Sequence, residues 1–413
     1  MQRLQAFKFQ LMPNGDQERN MRRFAGSCRF VYNKALAQQK ANYESGGKYV
    51  GHFDMCKWLP AWKKEFSWLK DSPSHTLQKA LKDLDRAYKN FFAGRAKFPR
   101  FKRKGMGESF QEFDANCFKV DEANVRIQLP KLGWMRYRKS RDIQGLSKNI
   151  TVSRVAGKWY VSIQTEHEVP QPLPTATTAI GIDVGITRFA TLSDGSLVAP
   201  LNSFKKHQKR LAKYQRRMSR KVKFSNNWQK AKRRVQKLHT CIANARSDFL
   251  HKTTTTISQN HALVCIEDLQ VKNMSSSSKG NSKQDGKSVS QKSRLNRAIL
   301  DQGWGEFRRQ LEYKMAWNGG ILLAVPAHHT SQTCPCCGHI AKENRLKQAE
   351  FLCVDCGYEN NADVVGAINV SERGQRLLAC GEDGSGLVRK RKTQPVSVKQ
   401  EPTEVTMREV THV

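Results

Sequence analysis

Apolar residues at alternate positions predict a β-strand at the start of the chain, within residues 1–12 (LQAFKFQL). Helical spacing follows, with apolar residues every three or four positions from Asn14 to about Tyr43, and Asn14 is a favourable helix start. Two further segments with helical spacing, 54–69 and 74–92, predict two more helices. Residues 13–95 are therefore expected to form a helical unit.

From residue 98 to about residue 169 the pattern changes to short alternating runs broken by Gly, Pro and Asn. Such runs are typical of an antiparallel barrel or sheet. They are FPRFKRK, VRIQLP, WMRYRK, NITVSRV and KWYVSIQTEHEV. Because residues 1–12 share this pattern, we predict one β-barrel domain formed by residues 1–12 and 96–170. The helical unit would be an insertion into it.

The second half of the chain alternates strands and helices and predicts a separate α/β domain. It begins after a Pro- and Thr-rich linker, 170–178. The predicted order is the strands AIGIDVG, RFATLSDG and SLVAP, two basic helices between 205 and 261, the strand ALVCIEDL, a helix at about 294–317, the strand ILLAVPA, a cysteine cluster and a last helix at about 362–372. The Ser/Lys-rich segment 274–293 is interpreted as a flexible lid or an inert linker, and residues 386–413 as a disordered tail.

The charge of the chain indicates a polyanionic partner. Its 413 residues include 72 Lys plus Arg against 36 Asp plus Glu, a net charge of +36. An ordinary metabolic enzyme does not need this excess, whereas a nucleic-acid-binding protein does. No apolar run approaches the roughly 18 residues of a membrane helix, and the first residues lack the apolar core of a signal peptide. We expect a cytoplasmic protein, associated with the nucleoid of a prokaryote, with no membrane partner.

Four cysteines have the spacing of a zinc ribbon. Cys334, Cys337, Cys353 and Cys356 form the pattern C-x2-C-x15-C-x2-C. Four thiolates fill the tetrahedral shell of one Zn²⁺, which predicts a structural site without an open position. Two alternatives are a register that uses Cys336 in place of Cys337, and unligated core cysteines. The nearby His328 and His329 are expected to contact phosphate or solvent.

Three carboxylates occur in apolar or glycine-lined contexts: Asp183, Glu267 and Asp363. Burying a carboxylate is costly unless it is paired or binds a metal. Together they would suit two Mg²⁺ ions and phosphodiester hydrolysis, since Mg²⁺ prefers carboxylate oxygens. Taken singly, each has another interpretation, namely a turn residue, a strand-end surface charge and a helix cap. The neighbouring Asp268 is an alternative to Glu267 that strand periodicity does not exclude.

A long basic stretch predicts a surface that follows a nucleic-acid backbone. No acidic residue occurs between Asp194 and Asp248, and aromatic residues are interleaved with the basic ones. The alternative is a solvated helix face without a partner. The candidate contacts are Arg216, Arg217, Lys230, Arg233 and Arg234.

Five motifs occur in the order found in the TnpB family of insertion-sequence proteins, which this chain resembles. They are IGIDVGITRFATLSDG, VCIEDLQVKNM, GWGEFRRQLEYK, TSQTCPCCG and NADVVGAINV. The resemblance implies an RNase H-like (RuvC) nuclease domain, 171–329 plus 359–385, with an inserted zinc ribbon, 330–358. It implies that Asp183, Glu267 and Asp363 are the catalytic, magnesium-binding triad. The third motif departs from the commoner family form: Ala362 replaces Arg, and Val365-Gly366-Ala367 replaces Asn-Ala-Ala.

The resemblance also implies the activity and the partners. The expected function is an RNA-guided endonuclease of a transposable element that cuts double-stranded DNA beside a short motif. A guide RNA encoded near the gene would bind one protein chain, through a wedge-like β-barrel domain and a helical recognition domain, 13–95. Ser74, His75 and Gln78 are expected to contact the motif. The alternatives are a non-cleaving RNA- or DNA-binding regulator of the element and a transposase that performs strand transfer.

Overall fold

The computed structural model describes residues 1–278, 280, 286 and 288–380, and they form two compact units, 1–170 and 171–380. The boundary falls at the start of the linker predicted at 170–178. The predicted tail and the middle of the predicted lid, 274–293, lie outside the described residues. Within the described part of the chain, no helix is long and apolar enough to cross a membrane.

The first unit combines a seven-stranded antiparallel sheet with four helices. The strands are β1 (Gln2–Met12), β2 (Ser109–Glu112), β3 (Lys119–Asp121), β4 (Arg126–Leu129), β5 (Gly133–Arg138), β6 (Leu146–Val155) and β7 (Lys158–Glu168). The helices are α1 (Gly15–Glu44), α2 (His52–Cys56), α3 (Trp58–Glu65) and α4 (Ser74–Phe92), with short 3₁₀ turns at Ser67–Asp71 and Ala115–Cys117.

The sheet has the order β2-β6-β7-β1-β5-β4-β3. Within residues 1–170, all of which are described, β2 and β3 are edges. The sheet is thus a half-barrel with two open edges, where the sequence predicted an antiparallel barrel or sheet and a β-barrel domain. All four helices lie between β1 and β2 in the chain, as predicted. Sheet and helices share one hydrophobic core that includes Phe9 of β1, Phe24 of α1 and Leu81 of α4.

The first helix begins where its sequence predicts. Asn14 Oδ1 accepts a hydrogen bond from the Gln17 backbone N–H at 2.8 Å, and Gln17 Oε1 accepts one from the Asn14 N–H at 3.1 Å. This capping box satisfies two backbone groups that the helix itself leaves without partners.

Two predictions for this unit were wrong. The helix predicted at 54–69 is broken into α2, α3 and a 3₁₀ turn, because Pro60 cannot continue a helix and is tolerated only in the first turn of a new one. The run FPRFKRK is not a strand. Its backbone is held by a helix side chain instead, since Asn33 of α1 hydrogen-bonds to both the N–H and the C=O of Lys102.

The second unit contains a mixed five-stranded sheet, a small hairpin and six helices. The strands are β8 (Ala179–Val184), β9 (Ala190–Leu192), β10 (Leu197–Val198), β11 (Leu263–Glu267), β12 (Ile321–Val325), β13 (Glu350–Leu352) and β14 (Glu359–Asn361). The helices are α5 (Ser203–Ser219), α6 (Asn226–Asn260), α7 (Val271–Met274), α8 (Val289–Gln302), α9 (Trp304–Trp317) and α10 (Ala362–Cys380). The sheet order is β10-β9-β8-β11-β12, and β8, β11 and β12 are parallel.

One predicted helix of this unit is two helices. Residues 294–317 were expected to be continuous, but Gly303 ends α8 with a φ of 76°. This left-handed conformation is accessible to glycine because it has no Cβ, and it ends the run of helical hydrogen bonds.

Helix α10 packs unusually closely on the face of β8 that carries Asp183. A Cβ on Gly181 would lie 2.0 Å from the Ala367 carbonyl oxygen, and one on Gly374 would lie 2.1 Å from Cys265 Sγ. Glycine at these two positions therefore sets the distance between helix and sheet. This distance places the first turn of α10 beside the end of β8.

Candidate active site and metal-binding cluster

The structure brings the three predicted acidic residues together. Asp183 lies near the end of β8, Glu267 is the last residue of β11, and Asp363 lies in the first turn of α10. Because β8 and β11 are adjacent parallel strands, their carboxyl ends meet at one edge of the sheet. The close packing of α10 brings Asp363 to the same edge.

The Asp183 carboxyl is perturbed by its surroundings. Burial and the charges of Glu267 and Asp363 together raise its pKa to about 7, while Arg345 opposes the shift. Burial also raises the pKa of Glu267. Like charges that are forced together in a buried site disfavour ionisation, and a bound cation would remove that cost.

Glu267 is held by a hydrogen bond that the sequence did not reveal. The Thr330 hydroxyl donates to Glu267 Oε1 at 2.7 Å. Thr330 is itself fixed from α10, since Asn369 Nδ2 donates to the carbonyl oxygens of Thr330 at 2.7 Å and Thr333 at 2.8 Å. These hydrogen bonds connect the loop before the cysteine cluster to β11 through Glu267 and to α10 through Asn369.

Asp363 is accompanied by two arginines that were also missed. Arg345 Nη2 lies 3.3 Å from Asp363 Oδ1, and Arg188 Nη1 lies 3.7 Å from Oδ2. Asn361 Oδ1 accepts a hydrogen bond from Arg188 at 3.0 Å and another from the Asp363 N–H at 3.1 Å. In a chain with a net charge of +36, nothing in the sequence distinguishes these two arginines from the rest.

Asp268 does not join the three acids. It is half-exposed and forms an ion pair with Arg308, and its backbone N–H donates to Val325 at 2.8 Å. The side chain of Glu267, in contrast, interacts with that of Asp183. Glu267, and not Asp268, therefore shares the edge of the sheet with Asp183.

The four cysteines of the C-x2-C-x15-C-x2-C pattern converge. Their sulfurs all lie within 4.8 Å of one another. The Sγ atoms of Cys334 and Cys356 are 3.6 Å apart, as are those of Cys337 and Cys353. A tetrahedral Zn²⁺ with Zn–S bonds of about 2.3 Å holds its sulfurs about 3.8 Å apart. The donor set and its spacing therefore fit zinc.

The turns of the cluster and its neighbours agree with the sequence pattern. Gly338 and Gly357 follow the two pairs with φ of 77° and 74°, and their N–H groups donate to the carbonyls of Cys334 and Cys353. Cys336 is exposed and lies outside the cluster, so the register that uses it is wrong. His328 and His329 are exposed to solvent and contribute no ligand to the cluster.

The basic stretch forms a helical hairpin of α5 and α6. An apolar seam joins the two helices and includes Leu211, Val235 and Leu238. The five candidate basic residues are exposed on this hairpin: Arg216, Arg217, Lys230, Arg233 and Arg234. Within the hairpin, Arg210 lies over the ring of Tyr214 and Lys232 lies over the ring of Trp228, as in cation–π pairs.

The three residues predicted to contact a DNA motif lie in the first turns of α4, in the other unit. Ser74 is exposed, and its hydroxyl accepts a hydrogen bond from Lys63 at 2.8 Å. Gln78 is half-buried. The ring of His75 faces two acids and a cysteine, a set that the sequence analysis did not connect.

Comparison with known proteins yields matches over nearly the whole chain. Residues 1–48, 162–278 and 304–370 match family models described as "Helix-turn-helix domain", "Probable transposase" (OrfB of IS605) and "Cas12f1-like, TNB domain". The chain is 57% identical to the Escherichia coli (strain K12) protein named "Putative RNA-guided DNA endonuclease InsQ", over 98% of this chain and 99% of that one. It is 36% identical to a "Putative RNA-guided DNA endonuclease" of Streptomyces pristinaespiralis, over 97% of both.

Among solved structures, a chain in the cryo-EM structure of a Cas12f1–sgRNA–target DNA complex is similar at 12% identity, with a TM-score of 0.49. The match covers 90% of this chain and 99% of that one.

Proposed function

Because the chain belongs to the TnpB family of insertion-sequence proteins, we propose that it is an RNA-guided DNA endonuclease of a transposable element. It binds a guide RNA encoded near its gene and cuts double-stranded DNA beside a short motif. Base pairing with the guide selects the target, and the protein reads the motif and the shape of the duplex. One protein chain acts with one RNA.

The nuclease site of this proposal consists of Asp183, Glu267 and Asp363. The observation that carries it is the convergence of the three carboxylates, which raises the pKa of Asp183 to about 7 through burial and through the two neighbouring acids. Without a cation, the proximity of three carboxylates is electrostatically unfavourable. Their oxygen atoms are well suited to hard divalent cations. Asp183, Glu267 and Asp363 would hold two Mg²⁺ ions, which would supply activation of water and stabilisation of the leaving oxygen.

The other residues around the acids have positioning roles. Thr330 fixes one carboxylate oxygen of Glu267 and leaves the second free. Both Arg188, which follows β8, and Arg345, which lies between the two cysteine pairs, form ion pairs with Asp363. Positively charged groups at this edge also favour the approach of a phosphodiester backbone.

In this assignment, 171–329 plus 359–385 is a RuvC-like nuclease domain and 330–358 a zinc ribbon. One structural Zn²⁺ is held by Cys334, Cys337, Cys353 and Cys356. Residues 1–12 plus 96–170 are a wedge-like domain, and 13–95 a recognition domain. We assign contacts with the target-adjacent motif to Ser74, His75 and Gln78, and contacts with the nucleic-acid backbone to the hairpin of α5 and α6.

The proposal is tested with protein purified together with its RNA, which is sequenced to identify the guide. Plasmids with a matched or scrambled target are incubated with the complex in Mg²⁺ and the products are mapped. We expect cuts in both strands of the matched plasmid alone, and none from Asp183→Asn or Glu267→Gln complexes that still bind it.

Each rival function has its own outcome in this experiment. Sequence-specific binding by the wild-type complex without any cut would identify a regulator. Strand-transfer products, or sequence-specific cutting by RNA-free protein, would identify a transposase. A cut by the Asp183→Asn complex at the wild-type rate would overturn the assignment of the acids.

A further inference from the structure

A second group of metal-ligand side chains lies in the first unit, far from the cysteines of the C-x2-C pattern in sequence. His75 Nδ1, an Asp114 carboxylate oxygen and Cys117 Sγ all lie within 4.8 Å of one another. The sulfur is 3.3 Å from His75 Nδ1 and 3.5 Å from Asp114 Oδ2. The Asp114 oxygen is 3.9 Å from His75 Nδ1. One imidazole nitrogen therefore faces two potential anionic ligands at once.

A buried carboxylate points at the same imidazole nitrogen. Glu112 is 2% exposed, and neither of its oxygens has a hydrogen-bond partner. Its Oε1 lies 3.2 Å from His75 Nδ1. A buried carboxylate without hydrogen bonds is costly unless a cation compensates it, and one imidazole cannot serve Glu112, Asp114 and Cys117 together.

The local fold presents these groups in a fixed arrangement. Glu112 is the last residue of β2, and Asp114 caps the 3₁₀ turn Ala115–Cys117. Its Oδ1 accepts a hydrogen bond from the Asn116 N–H at 3.0 Å, which leaves Oδ2 directed at the cysteine. The turn then returns the chain so that Cys117 meets His75, in the first turn of α4.

We propose that His75, Asp114 and Cys117 hold a second zinc ion, in which the Asp114 carboxylate and the Cys117 thiolate balance the charge of Zn²⁺ and the buried Glu112 carboxylate lies beside the ion. Nitrogen, oxygen and sulfur ligands in this combination suit Zn²⁺, which accepts all three. Tetrahedral Zn²⁺ with ordinary bond lengths separates such ligands by about 3.3 to 3.6 Å. The Cys117 sulfur lies 3.3 Å from His75 Nδ1 and 3.5 Å from Asp114 Oδ2, which matches this spacing. The third distance, 3.9 Å between His75 Nδ1 and Asp114 Oδ2, would shorten by a small movement of the half-exposed carboxylate when the ion binds.

The ion would join two elements that the chain connects only through a long loop. It links the first turn of α4 to the end of β2, and so fixes the backbone that carries Ser74 and Gln78. The Nε2 atom of His75 stays available for other contacts. With three protein ligands, the ion would keep its fourth position for a water molecule. Its role of linking the two elements does not depend on the nuclease activity.

The test counts zinc in the full-length protein purified with its RNA. The complex is passed through gel filtration in excess Mg²⁺, which occupies the RNA phosphates, and zinc per chain is measured by elemental analysis. We expect about two equivalents in the wild type and about one in Cys117→Ser and in Cys353→Ser, since each site has a fixed stoichiometry of one ion. About one equivalent in the wild type, or two in Cys117→Ser, would overturn the proposal.

Matched variants separate loss of the ion from general damage. Cys56 Sγ lies 3.5 Å from His52 Nε2 in the same unit but has no acidic partner, so Cys56→Ser should keep both ions. Cys117→His replaces sulfur with another zinc ligand and should also keep both. If Cys117→Ser fails to fold, the outcome rests on Cys117→His: two ions support the site, and one contradicts it.

Cobalt provides a readout that RNA cannot mimic. Co²⁺ bound by thiolates shows charge-transfer absorption that grows with the number of thiolate ligands. A Cys353→Ser complex reconstituted with Co²⁺ should keep a weaker band that disappears in the double variant with Cys117→Ser. If the double variant still shows the absorption band of Cys353→Ser, the band arises from the remaining cysteines of the ribbon. That result would refute the second site.

Discussion

Gly366 leaves the space that the carboxylate of Asp183 occupies: a Cβ at position 366 would lie 3.2 Å from Asp183 Oδ2. Helix α10 thus contributes to the acidic site twice, through Asp363 and through the missing side chain one turn later. Gly366 is also one of the positions where the third motif departs from the commoner family form, which has alanine there. Glycine at this position gives the Asp183 carboxylate more room than alanine would.

Side chains of increasing size at position 366 should reduce cleavage in steps. Gly366→Ala requires the Asp183 carboxylate to move by a few tenths of an ångström and should have a small effect. Gly366→Val adds two methyl groups toward the carboxylate and should lower the cleavage rate roughly 100-fold, as expected when a reacting group is displaced by about 1 Å. Single-turnover cleavage with guide-loaded protein measures both effects.

The control for this series is Gly26→Val in α1, where only the flexible end of Arg29 lies within 4 Å of a Cβ. It should cleave like the wild type. Equal rates for Gly366→Val and Gly26→Val would contradict the close approach of α10 to Asp183.

The metal-free protein should lose stability as Asp183 ionises. Its pKa is about 7 in the folded state against an ordinary 3.8. The folded state therefore binds a proton that the unfolded chain releases, so the contribution of Asp183 is complete below about pH 4 and is lost as the pH rises through about 7. Urea unfolding in chelator should show a steeper decline between these values for the wild type than for Asp183→Asn. Parallel curves would contradict the shifted pKa.

The same proton should compete with Mg²⁺. Because a ligating carboxylate must be ionised, the stabilisation by added Mg²⁺ should be smaller at about pH 6 than at about pH 8. Thermal unfolding with and without Mg²⁺ at both pH values measures this difference, and Asp183→Asn should show little of it. A Mg²⁺ effect independent of pH in the wild type would argue against ion binding by Asp183.

Removing the hydroxyl of Thr330 should weaken the site through Glu267. Thr330→Val keeps the shape of the side chain but loses the 2.7 Å hydrogen bond, which is worth about 1 kcal/mol or more to a charged acceptor. Cleavage should fall about fivefold or more, and its rise with pH should shift to higher pH because the pKa of Glu267 increases. Thr330→Ser should restore both properties. A loss of rate with an unchanged pH profile would indicate a packing effect only.

The hairpin of α5 and α6 should supply affinity without sequence preference. Replacing Arg216, Arg217, Arg233 and Arg234 by Gln should weaken binding of RNA-free protein to any nucleic acid, and should lower the slope of log K against log salt by about three. Titrations between about 50 and 200 mM salt measure the slope.

A matched control removes four positive charges that are paired with acids on the surface. The control residues are Arg19, Lys57, Lys148 and Lys347. Their replacement should change the slope little, because surface ion pairs leave less positive charge for phosphate. Equal slopes for both variants would show that only net charge matters and that the hairpin is not a binding surface.

The elements that could be predicted from the sequence depend on neighbours in the chain. The capping box at Asn14, the alternation of β8 and the two C-x2-C turns are local, since a few consecutive residues determine each of them. The breaks at Pro60 and Gly303 were local as well and were missed because apolar spacing continues across both positions.

Only the tertiary structure decided which side chains meet. His75 and Cys117 are 42 residues apart, and Arg188 and Asn361 are 173 apart, so no periodicity relates them. The choice of Glu267 over Asp268 depends on which face of β11 meets Asp183. Packing of α10 against Gly181 then brings Asp363 to that edge. The spacing of residues thus determined the types of ligand and the elements that carry them. The convergence of the ligands depended on contacts between distant segments, because chain connectivity alone does not constrain the distance between residues that are far apart in sequence.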